Sequence, residues 1–128
     1  LGWRPWPASR VPMIGAIHLG VAWVVAGYAL SLASVGPPSL PYHCWLLGGM
    51  GTFWAALSLR VCRGHGGLPI VMGRDGAAIV GLVQLATITR VAGAFWPSPW
   101  HFTAAGLLLG GAFATWLWRI APLVRRGG

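Results

Sequence analysis

HCWLLGGMGTFWAALSLRVCRGHGGLP, residues 43–69, opens on a histidine and then runs to Leu59 without a charged side chain. It closes on Arg60, Arg63 and the glycine-flanked His65. An apolar run of about twenty residues is the length of a helix that crosses the hydrocarbon of a bilayer. Histidine at each end of such a span is unusual, because ionisable groups inside a membrane are costly and are kept for a purpose. Gly48, Gly49 and Gly51 sit where a helix pressed closely against another would want them.

Composition points the same way. Of 128 residues, 56% are hydrophobic and 8% charged, with nine tryptophans and no lysine. A soluble domain is about a quarter charged. Charge this sparse, with a mean hydropathy of +0.69, makes the lipid bilayer the solvent. The formal net charge of +8 would suit nucleic acid if the arginines formed one patch. They lie instead between apolar runs, as positive-inside signals do, so nucleic acid is not among the expected partners.

Working outward, residues 1–11 carry Arg4, Arg10, Trp3 and Trp6 and read as an interfacial lead-in, with no signal-peptide cleavage pattern. A first span is expected over about 12–35. Within it Gly15, His18, Ala22, Ala26, Ala29 and Ala33 recur at helical spacing, a small-residue stripe that predicts the packing face and points His18 into the bundle. Residues 36–41, GPPSLP, cannot continue a helix. The second span is expected over about 42–63, followed by a basic loop whose Asp75, the only acid of the chain, is placed to cap the next helix. A third span over about 76–95 holds Gln84 and Arg90. The uncharged turn WPSPW, 96–100, leads to a fourth over about 101–118.

Eight of the nine arginines fall in three segments on one side of these spans, and the 36–41 and 96–100 turns carry none. By the positive-inside rule both termini are cytoplasmic. The expected fold is thus an all-α membrane protein, a bundle of four transmembrane helices forming a single four-span domain over 1–128. Glycine patches at Gly48 and Gly106, on different helices, exceed what one internal contact needs, which implies a homo-oligomer or a larger membrane complex. Cys44 and Cys62 stand eighteen residues apart on one expected helix, roughly 27 Å at helical rise, too far for a disulfide between them.

The IHLGVAW segment from Ile17, the spacing from His43 through Gly48 and Gly51 to Arg60 and the Gly64–His65–Gly66 triplet, and the WRIAPL ending at 118–123 resemble, in order, the NnrS family. These are bacterial membrane proteins associated with haem, copper and nitric oxide stress. The likeness is to the C-terminal third of the family's longer chains. Residues 67–69, Gly-Leu-Pro, stand where the family tends to show Gly-Arg, and the threonine before the motif is absent. The resemblance implies an inner-membrane location, haem b with copper as a further cofactor, and His18, His43 and His65 as cofactor and metal ligands.

Depth along the spans gives a second reading of the site. His43, His101 and Arg90 fall near the uncharged end, His18 and His65 near the basic end. Two imidazoles from different helices are good axial ligands for haem iron, and an arginine beside them suits a propionate. Helical phase also puts His43 on a face with Met50 and Trp54, an apolar surface suited to a macrocycle. Geometry therefore selects His43, His101 and Arg90, whereas the resemblance selects His18, His43 and His65; the expected cofactor-binding set follows the resemblance, His18, His43 and His65 with Arg90, and His101 is a reserve candidate. Each histidine also has a plainer reading as a helix-end group bonded to a carbonyl, and Arg90 as a side chain reaching the headgroups. Cys44 beside His43 invites copper, against a small packed residue. One acid in the chain leaves no set for hydrolytic or acid–base catalysis. The functional expectation is a haem-binding, or haem- and copper-binding, protein of redox or nitric oxide chemistry. The alternative is a small cofactor-free structural subunit of a larger membrane complex.

Overall fold

The structure, a computed structural model, describes residues 12–127, which form helices joined by turns, with no strand among them. The expected lead-in over 1–11, with Trp3, Arg4, Trp6 and Arg10, lies outside the described residues.

Four helical rods carry the fold. The first, Pro12–Leu32, starts on a proline whose missing N–H costs nothing at a helix start. It ends three residues before the expected 35, where Ser34 turns to a φ of 52° and Val35 N–H donates to the Leu30 carbonyl at 3.1 Å. That six-residue closure is a left-handed helix terminus. The second rod spans residues 40–65 as three stretches end to end: α-helix Leu40–Tyr42, π-helix His43–Met50 and α-helix Gly51–His65. In the π-helix Gly51 N–H donates to Leu46, five residues back. The third rod is Gly73–Phe95. The fourth begins as Pro99–Thr115, capped by Ser98 Oγ accepting from Trp100 N–H at 3.4 Å. It continues through a π-turn, Trp116–Ile120, and a 3-10 stretch, Ala121–Gly127. Three helices, Pro12–Leu32, Gly73–Phe95 and Pro99–Arg125, are each long and apolar enough to cross a membrane.

The rods alternate in direction. At one end, called basic here, Asp75 in the first turn of the third rod accepts from Arg119 Nε of the fourth at 3.4 Å. Asp75 thus sits where the helix dipole favours its charge but does not cap; Met72 holds the cap position without a side-chain bond. At the other, uncharged end, Gly36 packs against Leu40 and Phe95.

The packing face of the first rod is not the expected stripe. Its buried residues are Met13, Ala16, Gly20 and Gly27, whereas Ala22, Ala29 and Ala33 are exposed and Gly15, His18 and Ala26 half-buried. The reason is reciprocal fit with the second rod: the Trp23 ring fills the space over Gly48, the Trp45 ring that over Gly27, and Phe53 that over Gly20. Large rings seated on glycines bring two backbones close, and this outweighs alanine spacing. Gly48 is therefore used inside the chain, while Gly106 and Gly110 open outward with nothing near them.

Toward the basic end the rods enclose Met13, Leu59, Met72, Ile79, Val83, Ala112 and Ile120. Mid-bundle, three rods meet at Gln84. Its side-chain oxygen accepts from Trp23 Nε1 at 2.6 Å, its amide donates to Thr52 Oγ1 at 2.6 Å, and Thr52 donates to the Gly48 carbonyl. A carboxamide in an apolar interior is tolerated when its donors and acceptors are met in this way. The Trp116 indole likewise donates to Ser58 at 2.9 Å, joining the fourth rod to the second.

Candidate functional site

His43 begins the π-helix, and Arg90 lies five residues before the end of the third rod. His101 is the third residue of the fourth. At about 1.5 Å per residue these depths agree to within roughly 5 Å, so the three occupy one layer at the uncharged end.

Arg90 anchors the layer. Its guanidinium carbon stands 3.7 Å from the centroid of the Phe102 ring, a cation–π contact. No carboxylate side chain is available to it: Asp75, the only acid in the sequence, is at the opposite end beside Arg119. An arginine in an apolar layer without an acid is a place for an anion from outside the chain.

His101 packs over the third rod. A methyl group added at Gly93 would lie 2.6 Å from His101 Cβ and 3.0 Å from its Cγ. Glycine there lets the imidazole approach the backbone one turn beyond Arg90. Its Nδ1 is buried with no hydrogen-bond partner among the described residues. A buried orphan nitrogen is uncommon in folded proteins and is the kind of atom a ligand or water completes.

Aromatic rings flank His43 in sequence. Trp45 lies 4.9 Å from Tyr28 and 5.4 Å, edge-on, from Tyr42, measured between ring centroids. Tyr42 and Trp45 border a groove of about 290 Å³ between the end of the first rod and the start of the second. His43 itself is half-buried and does not line it. The face expected to join His43 to Met50 and Trp54 is not formed: the π-helix changes the phase, Met50 is exposed, and Trp54 packs at a tilt against Phe113 and Trp116.

The other two histidines stand at the basic end. His18, half-buried, hydrogen-bonds through Nδ1 to the Ile14 carbonyl at 2.8 Å; His65, exposed, does the same to Val61 at 3.0 Å. A donating Nδ1–H puts the lone pair on Nε2, the tautomer of a metal-ligating imidazole, and equally of a helix-end histidine. Cys44 is buried against Gly27 between the first two rods. No three His, Cys, Asp or Glu side chains gather into a metal-holding group among the described residues.

The geometry thus places His43, Arg90 and His101 in one layer and leaves His18 and His65 at the far end. Phe102, which holds Arg90, was not legible as a site residue; its only signal is its place beside His101 in the first turn after Pro99. The donor set at the uncharged end fits an iron porphyrin in chemistry: imidazole nitrogens for the metal and a cation without a carboxylate for a propionate. Against proteins of known family the chain matches NnrS protein over residues 1–127. No curated protein and no solved structure matches it.

Proposed function

The chain belongs to the NnrS family, which links it to the nitric oxide response, and from that premise we propose that it binds haem b at its uncharged end as a multi-pass protein of the bacterial inner membrane. His43 and His101 would supply imidazole nitrogens to hold the iron, and Arg90 the cation for a propionate. Bound haem supplies one-electron redox chemistry. The chain's own part is to hold that group: Phe102 keeps the guanidinium in place, and the glycine at 93 seats His101 against the third rod. The observation that carries the reading is Arg90, a cation held over the Phe102 ring in the layer of His43 and His101, at an end of the bundle with no acidic side chain.

The arginine distribution supports cytoplasmic termini and an outward-facing uncharged end. His18 and His65, which the family resemblance adds to the ligand set, have the tautomer for metal binding but lie apart from His43. Copper rests on them and on Cys44, and has less support. Gly106 and Gly110, open on the fourth rod, favour a second copy or a larger membrane partner.

An optical spectrum tests the assignment. The purified protein supplied with haem should show a Soret band that His43→Ala abolishes or shifts. Arg90→Gln should weaken haem retention about tenfold or more, the worth of a charge-assisted hydrogen bond. An unaltered spectrum in His43→Ala refutes the ligand assignment. One observation favours the second reading, a cofactor-free structural subunit: His18 and His65 both bond carbonyls of their own helices. That reading expects no Soret band in the wild-type protein.

A further inference from the structure

The basic end holds a groove of about 350 Å³ lined by Arg60, Val61, Gly64, His65 and Ile70. We propose that this groove binds the headgroup of an anionic glycerophospholipid, with Arg60 on the phosphate and the lipid's glycerol and acyl portion along Val61 and Ile70.

Charge supports it first. Arg63 and Arg119 are engaged, Arg63 Nε donating to the Pro69 carbonyl at 2.9 Å and Arg119 bonding Asp75. Arg60 is exposed and has no hydrogen bond or ion pair among the described residues. The one carboxylate side chain of the chain is held by Arg119, so the groove's positive charge is not cancelled from within.

Shape and polarity choose a lipid over a soluble anion. The loop behind the groove exposes Leu68, Ile70 and Val71, at 38%, 48% and 52% of their surface, and Val61 on the helix is exposed to 54%. These apolar side chains flank arginines in the last turns of the second rod, beside the start of the membrane-length third rod, the position where headgroup meets acyl chain. A soluble phosphate would use the arginine and leave the apolar wall in water. The Arg63–Pro69 bond ties the loop back to the helix, so the wall is held beside Arg60. Over Gly64 a methyl group would meet nothing within 4 Å, which leaves the middle of the groove open for the phosphate. His65, its Nδ1 bonded to the Val61 carbonyl, also lines the groove.

Native mass spectrometry of the full chain released from detergent tests this, with phosphatidylglycerol and phosphatidylcholine of equal chain length as probes. The wild type should retain phosphatidylglycerol preferentially. Arg60→Gln should lower that preference about fivefold, the worth of one arginine near a charged lipid surface. Arg60→Lys should keep most of it, and Arg125→Gln, outside the groove, should change it little. Gly64→Leu, which improves the helix while filling the groove, should lower retention of phosphatidylglycerol with no charge altered; circular dichroism confirms that each variant stays helical. Equal retention of the two lipids by the wild type overturns the proposal. So does an Arg125→Gln loss as large as that of Arg60→Gln, which would mean diffuse charge rather than a groove. Binding of inorganic phosphate that depends on Arg60 and competes equally with lipids of any chain length would assign the groove to a soluble anion and overturn the lipid assignment.

Discussion

At the basic end of the bundle the chain's one acid has a partner and the interior is filled: Asp75 meets Arg119, and Met13, Leu59, Met72, Ile79 and Ile120 pack beneath them. At the uncharged end neither is complete. Arg90 rests on Phe102 without an acid, His101 keeps a buried nitrogen unbonded, and contact between the rods is made by aromatic rings lying on glycines. The two ends share one set of helices and one apolar solvent, so the difference is not one of fold. Polar groups that fold stability requires are satisfied inside the chain; those at the uncharged end are arranged as if something else completes them. The contrast separates the histidines too, since His18 and His65 bond their own helices.

The sharpest way to break the comparison is to show that the ends do not face opposite compartments. Single cysteines at Ser39 and Ser98, in a background with Cys44 and Cys62 replaced, should react with an impermeant thiol reagent from the periplasmic side of intact cells. Cysteine at Gly66 should react only after permeabilisation. The effect is nearly all-or-none, because a segment translocates or does not. Labelling at Gly66 from outside inverts the bundle and moves the His43–Arg90 layer to the cytoplasm.

Glycine substitutions probe the contrast in packing. Gly27→Leu should destabilise by about 1–3 kcal/mol, since a side chain there collides with the Trp45 ring and with Cys44 Cβ. Gly64→Ala at the basic end should be neutral or stabilising by up to about 1 kcal/mol, because an exposed helical glycine with open space above it gains helix propensity. Unfolding in mixed micelles at rising denaturing-detergent fraction reads both. Equal costs would mean that glycine contacts do not hold the uncharged end.

These contacts mark where sequence reading stopped. The rods were legible because the apolar runs are long and the breaks at 36–41 and 96–100 carry prolines that end helices. Depth counting was enough to put His43, Arg90 and His101 in one layer. The phase of the first rod was not legible. In lipid every face of a span is apolar, so periodicity does not separate the lipid side from the protein side as it does in water. Trp23 on Gly48 and Trp45 on Gly27 are matches between two helices, and neither helix shows them alone. The π-helix at His43–Met50 left no mark in composition, and it undid the face expected to join His43 with Met50 and Trp54. Gln84 stood out as the large polar group mid-span; its partners Trp23 and Thr52 depend on that same unseen phase.

The smallest expected effect lies at the pair that defines the basic end. Asp75 and Arg119 are 3.4 Å apart with side chains 46% and 57% exposed, so solvent screens their attraction and an exposed pair is worth about 0.2–1 kcal/mol. Asp75 adds a similar small gain from its place in the first turn of the third rod, where a negative charge meets the helix dipole. Asp75→Asn should therefore lower stability by under about 1 kcal/mol, and added salt should shrink the difference. Arg119→Gln should cost less than Asp75→Asn, because it removes the pair and leaves the dipole interaction intact. The double variant should then be no worse than Asp75→Asn alone, since the pair can be lost only once. A loss of several kcal/mol from Asp75→Asn would mean the pair is shielded from water in the membrane. The basic end would then depend on a buried charge, and its contrast with Arg90 would be one of partner alone.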